Sequence, residues 1–118
     1  MRHNFRQLKI WEKVMDLVIL TYAITSKFPS DERFGLISQI NRCSVSIPSN
    51  IAEGTGKSTD KDFAYFLSHS FGSLYELETQ IIISFKLKYL SENSYNDVIE
   101  QIFILEKMIV GFIKNLNS

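Results

Sequence analysis

Apolar residues recur every third or fourth position through almost all of the 118-residue chain, which is the period of an α-helix. The first such segment runs from about Phe5 to Lys27, with Leu8, Trp11, Met15, Val18 and Tyr22 on one stripe. The stretch "KFPSDER" then breaks the pattern. Pro29 is expected to stop the first helix, Ser30 to cap the next, and Asp31 and Glu32 to suit its positive end. The second segment turns Leu36, Ile40, Cys43 and Ile47 inward. Pro48 lacks an N–H, but "SNIAEG" resumes the same spacing, so a kink is predicted there rather than an end. Gly54 and Gly56 are expected to close this helix and make the turn "GTGKS". Thr59 with Asp62 forms a weak capping box for a third helix reaching about Tyr89, and Ser94 with Asp97 repeats it before a fourth. No alternating strand pattern or internal repeat is present. The reading is all-α: one domain, 1–118, folded as an up-down-up-down four-helix bundle kinked at Pro48.

Two helices carry more apolar surface than one bundle needs. In the fourth, Val98, Ile102, Leu105, Ile109, Phe112 and Leu116 form a seam, and Ile99, Phe103, Val110 and Ile113 form a second strip beside it. Together they span roughly 200° of the helix, against about 100° or somewhat more for an ordinary surface helix. In the first helix, Ile10, Val14, Leu17 and Ile24 flank the main stripe. Either these strips lie under the chain's own side chains and loops, or several copies share them. Sharing predicts a homo-oligomer with Ile99, Phe103, Val110, Ile113, Ile10 and Val14 at the interface.

Composition narrows the class. Hydrophobic residues make up 45% of the chain with five Gly and two Pro, which excludes a disordered polymer. A single cysteine, Cys43, fits a reducing compartment, so a cytoplasmic protein is expected. No apolar run reaches the ~18 residues of a membrane span, and Glu12, Lys13 and Asp16 interrupt the apolar N-terminal stretch, so neither membrane insertion nor a signal peptide is expected. Thirteen basic residues balance thirteen acidic ones, so no overall field draws the chain to nucleic acid. Locally, however, Arg2, Arg6, Lys9 and Lys13 are spaced to line one side of the first helix. Such a row is either a solvated face or a phosphate-binding one that reads no sequence.

No catalytic pattern is complete in the sequence. "GTGKST" has the end of a phosphate-binding loop, but Ile51 stands where its first glycine belongs and a helix precedes it. Neither His3 nor His69 follows a Glu by three residues, as a di-iron bundle requires. One cysteine makes no zinc site, and no Arg lies just before His69 for a helical ribonuclease. The expectation is a protein that is not an enzyme, with no cofactor and no metal.

The run "FPSDERFGLISQINRCSVSIPSNIAEGTGK", followed by "FAYFLSHSFGSLYELETQ", resembles the small bacterial four-helix-bundle family encoded in intervening sequences of 23S ribosomal RNA genes. "LKIWEKVMDLVILTYAIT" looks like that family's first helix. The resemblance implies a ring-like homopentamer and a similarity to accessory proteins of diversity-generating retroelements, which are thought to bind nucleic acid and a reverse transcriptase. It brings no catalytic residues. The chain has Asn41-Arg42 where family members often carry two arginines, and Lys57 where they often carry one. Asn50 and Glu53, one turn apart, are expected to bond Ser73 or Glu76 on the third helix. The function read from all this is an oligomer binding RNA or a ribonucleoprotein, with Arg2, Arg6, Lys9, Lys13, Arg42, Lys57 and Lys61 as phosphate contacts. The alternative is a protein-interaction scaffold that binds no nucleic acid.

Overall fold

The computed structural model describes residues 3–118 and holds four α-helices, with no strand among the described residues. They are α1 (Lys9–Thr25), α2 (Leu36–Thr55), α3 (Asp60–Lys86) and α4 (Glu92–Asn117). Short connections force neighbours to run antiparallel, and each helix packs on the next around a square closed by α1 against α4. The diagonal pairs, α1 with α3 and α2 with α4, stay further apart, with no Cα atoms within 8 Å of each other. The bundle measures 44 × 23 × 20 Å.

One core fills the square. Val14, Leu17, Ile40, Ile47, Ile51, Leu67, Leu74, Leu77, Ile81, Val98, Ile102 and Ile109 are fully buried in it. The second and fourth helices bury most of the seams their periodicity predicts, with Leu36, Phe112 and Leu116 at the ends only partly buried against the core. The first does not. Ile10 and Val14, expected at a subunit interface, are 3% and 0% exposed within a single chain, and Leu17 and Ile24 join them in the core. Of the expected stripe Val18 is buried, at 8%, whereas Trp11 and Met15 are half-buried beside α2 and Tyr22 is exposed. The two strips of α1 have exchanged roles.

The helix ends correct several expectations. α1 begins at Lys9 because Leu8 is extended, and Phe5–Gln7 form a separate 3-10 turn capped by Asn4. Ser30 opens another 3-10 turn and does not cap α2. Glu32 does that work: its Oε1 accepts from the Leu36 N–H at 3.3 Å, and its Oε2 accepts from the Tyr89 hydroxyl at 2.9 Å. A Cβ on Gly35 would lie 2.6 Å from that Oε1. Thr59 caps α3 by accepting from the Asp62 N–H at 3.1 Å, as its spacing predicts. α4 is capped by Ser91, which accepts from the Ser94 N–H at 3.1 Å; Ser94 is inside the first turn.

Gly54 lies within α2, which runs unbroken through Pro48 to Thr55, and Gly56 keeps a right-handed φ of −83°. The glycine at 54 is therefore needed for space. A Cβ there would sit 2.7 Å from Phe63 Cδ1 and 3.0 Å from Phe66 Cβ. α3 ends with its Tyr89 N–H on the Ser84 carbonyl and its Lys88 N–H on the Phe85 carbonyl, which places Lys88 at φ 66° in a position that favours glycine.

Two substitutions test these local arguments by urea unfolding. Gly54→Val should cost about 1–3 kcal/mol through overpacking against Phe63 and Phe66. Lys88→Gly should gain about 1 kcal/mol by relieving the left-handed side-chain clash.

Candidate assembly and nucleic-acid surfaces

Much of the apolar surface left outside the core falls on two opposite sides of the square, with Ile104 open at the α1–α4 edge. On the α1–α2 side, Phe5, Trp11, Met15, Val18, Val45, Pro48 and Ala52 line a shallow groove of about 280 Å³. Ile19, 68% exposed, lies on the outer side of α1 near it. On the α3–α4 side, Tyr75, Phe103 and Val110 are exposed, with Phe103 at 56%. Phe71 and Ile99 are half-buried, and the Phe71 ring sits 4.6 Å from that of Tyr75. Ile99 and Ile113 thus pack partly on their own core, while Phe103 and Val110 stay open. These two faces exist because α1 and α4 each carry two apolar strips and the square can dry only one of each.

Antiparallel helices bring the start of α1, the end of α2, the start of α3 and the end of α4 to one pole. His3 marks it, with its ring 5.0 Å from Phe63 and 6.5 Å from Phe112. Arg6, Lys9, Lys57 and Lys61 therefore come together at this pole, and Lys114 in the last turn of α4 joins them. The sequence reading missed Lys114, whose placement depends on topology alone. Two of these cations are already engaged. The Arg6 guanidinium lies 4.5 Å from the Phe5 ring centre and the Lys57 ammonium 5.0 Å from that of Phe66. Lys9 and Lys61 are exposed. Lys13 lies a turn further on, beside Asp16, Gln101 and Ile104 at the α1–α4 edge. Arg42 is about 20 Å along α2 from the pole, at the α2–α3 edge with Gln39 and Glu76. Arg2 lies outside the described residues. The pole also carries Glu53, Asp60 and Asp62, so its field is mixed.

α2 and α3 are tied by small polar side chains. Ser70 Oγ donates to the Ile47 carbonyl at 2.8 Å, and Cys43 Sγ donates to the Ser73 carbonyl at 3.0 Å. The Ser46 and Ser73 hydroxyls lie 2.8 Å apart. Asn50, expected to reach α3, donates to the Ser46 carbonyl on its own helix at 2.8 Å, so Ser46 makes the crossing instead. Burial, then the charge of Glu76 and its hydrogen bond, push the Cys43 thiol up to about 12. It is therefore a neutral donor at physiological pH. Among the described residues no group of three or more His, Cys, Asp or Glu could hold a metal ion, and no helix is long and apolar enough to cross a membrane.

A family model described as 23S rRNA-intervening sequence protein matches residues 6–111, and the chain belongs to that family. No curated protein matches it. A crystal structure at 1.70 Å from Bacteroides thetaiotaomicron VPI-5482, of a protein with unknown function from the S23 ribosomal protein family, superposes with a TM-score of 0.82. It is 19% identical, and the match covers 89% of this chain and 98% of that one. Likeness at that identity shows the shared four-helix fold.

Cys43 should react slowly with a thiol-directed disulfide reagent at pH 8 in the folded protein and promptly in urea. Prompt reaction without urea would place the thiol outside the α2–α3 seam.

Proposed function

We propose that this member of the 23S rRNA-intervening sequence protein family works without catalysis, as a cytoplasmic homo-oligomer that presents its basic poles to RNA or a ribonucleoprotein. The observation that carries the assembly is the pair of apolar faces on opposite sides of one bundle. A subunit with two different sticky sides is suited to contact a neighbour on each, with the α3–α4 ridge of one seated in the α1–α2 groove of the next. A long side of the bundle, 44 by 20 Å, has a footprint of the same order as the ~800 Å² that each partner gives to a standard interface. Such head-to-tail contact makes a ring when each subunit is rotated against the last so that the array closes, and the family resemblance gives five subunits. A ring repeats Arg6, Lys9, Lys57 and Lys61 around one rim, which multiplies the phosphate contacts available to one ligand although each subunit is neutral overall.

The scaffold reading, in which the same oligomer docks another protein, draws support from Arg6 and Lys57 lying over aromatic rings and from the acids at the same pole. Both readings share the assembly and differ in what binds the rim.

Sedimentation equilibrium at micromolar concentration should give a multiple of the 13.7 kDa subunit mass, and Phe103→Lys should reduce it to one subunit. Phe103 is open to solvent in one chain, so this change leaves the fold intact. RNA retained by the wild type should be lost steeply as salt rises. Replacing Arg6 and Lys9 by Ala should lower the slope of log K against log salt by about 0.7–0.9 for each phosphate contact removed per subunit. An oligomer that holds no RNA at low salt, but retains a protein after nuclease treatment, would favour the scaffold.

A further inference from the structure

Glu106 is the only side chain with a formal charge in water that is buried among the described residues, at 8% exposure. It sits on the flank of α4 that meets α3, three residues after Phe103 and four before Val110. Its Oε2 is sealed from solvent and has no donor facing it. An ionised carboxylate would leave that oxygen both dry and unpartnered, which is costly.

The group within hydrogen-bond reach is another carboxyl, Glu78 of α3, whose oxygens can only accept while it is ionised. One proton shared between the two removes both problems, because a neutral carboxyl donates to the other and no charge pair is trapped. The other charged groups around this helix face elsewhere. Lys107 of α4 holds its ammonium 4.9 Å over the Phe103 ring, and Lys13 and Asp16 of α1 meet α4 on its other flank, at Gln101, Ile104 and Leu105. α2 lies diagonally across the core, with no Cα within 8 Å of α4. Glu78 is thus the charge that acts on Glu106.

We infer that Glu78 and Glu106 form a one-proton acid pair beneath the α3–α4 apolar face, and that assembly through this face is proton-linked. Subunits associate with the pair protonated and separate as it ionises. The inference rests on the reading of that face as a contact between copies of this chain. Glu78 is only half-buried in one subunit, so water still hydrates the pair from its side. A second copy laid over Phe103 and Val110 removes that water, and the ionised pair then costs more than it does in the free subunit.

The direction follows from the acid constants. Burial first, then the hydrogen bond and charge of Glu78, raise Glu106 from 4.5 to about 8 in the free fold. Covering the pair raises it further. A carboxyl whose proton is held more tightly in the folded and assembled states favours them at low pH: the fold's share is complete below 4.5 and lost by about pH 8, and the share added by assembly is complete below about 8 and lost as pH passes the higher value of the covered pair. Assembly is therefore full at pH 7 and weakens through pH 8 to 9.5.

The test uses the full chain as wild type, Glu106→Gln and Glu78→Gln, with sedimentation equilibrium and urea unfolding at pH 7.0 and 9.5. Glutamine in place of Glu106 keeps a neutral donor to Glu78 and cannot ionise. The wild type should dissociate about tenfold or more readily at pH 9.5 than at pH 7.0, and its urea midpoint should fall. Glu106→Gln should hold its mass and midpoint across the range. Glu78→Gln, which removes the repelling charge, should flatten both curves even if the first variant folds poorly. A wild-type oligomer whose dissociation is the same at both values overturns the linkage and leaves the assembly standing. A wild type that is a single subunit at pH 7.0 overturns the assembly itself, and the two failures are distinguished by that one mass.

Discussion

Each helix of a four-helix square can give one flank to the core, and here α1 and α4 carry apolar side chains on two. Everything distinctive about the surface follows from that excess. The core takes Ile10, Val14 and Leu17 from α1 and Val98, Ile102 and Ile109 from α4. It leaves Trp11 and Met15 beside α2, and Phe103 and Val110 open to solvent on α4. Because α1 and α4 each turn their surplus strip away from the other, the two strips fall on opposite sides of the molecule. A chain with this arrangement is predisposed to stack on itself head to tail. A symmetric pair would use only one face and leave the other wet.

The α2–α3 side is built differently. Its contacts are made by Cys43, Ser46, Ser70 and Ser73 with backbone carbonyls and with one another, and by Gly54 against Phe63. Small residues allow these two helices to approach closely, and the hydroxyl and thiol bonds fix their register. The stretch "NIAEGTGKST" serves this packing. Gly54 makes room for an aromatic ring, Thr59 caps α3, and Lys57 lies over Phe66. Its likeness to a phosphate loop is a by-product of ending one helix and starting another within a few residues.

The helix count, the connections and the inward seams of α2 and α4 were readable from periodicity, because in each of these helices one stripe holds most of the large aliphatic residues. The choice between the two strips of α1 was not. Leu8, Trp11, Met15 and Val18 are as apolar as Ile10, Val14 and Leu17, and only the position of α4 decides which set is enclosed. Caps were misplaced by one turn at Ser30 and Ser94 for a related reason: "SDE" and "SENS" each contain more than one side chain able to cap, and the fold selects Glu32 and Ser91. The gathering of Arg6, Lys9, Lys57 and Lys61 at one pole follows from antiparallel order, whereas Arg42, grouped with them by its charge and by the family resemblance, lies elsewhere. Glu106 gave no signal, since it falls between Ile102 and Ile109 as any polar residue on an amphipathic helix does.

The most direct test of the two-faced subunit disables one face in each of two variants and then mixes them. Phe103→Lys spoils the ridge and Val45→Lys spoils the groove, and both positions are open to solvent in the single chain. Sedimentation should find each variant alone as one subunit and the equimolar mixture as a one-to-one pair, because each then supplies the intact face that the other lacks. A mixture that stays at the mass of one subunit, or variants that keep the wild-type mass, would contradict the account.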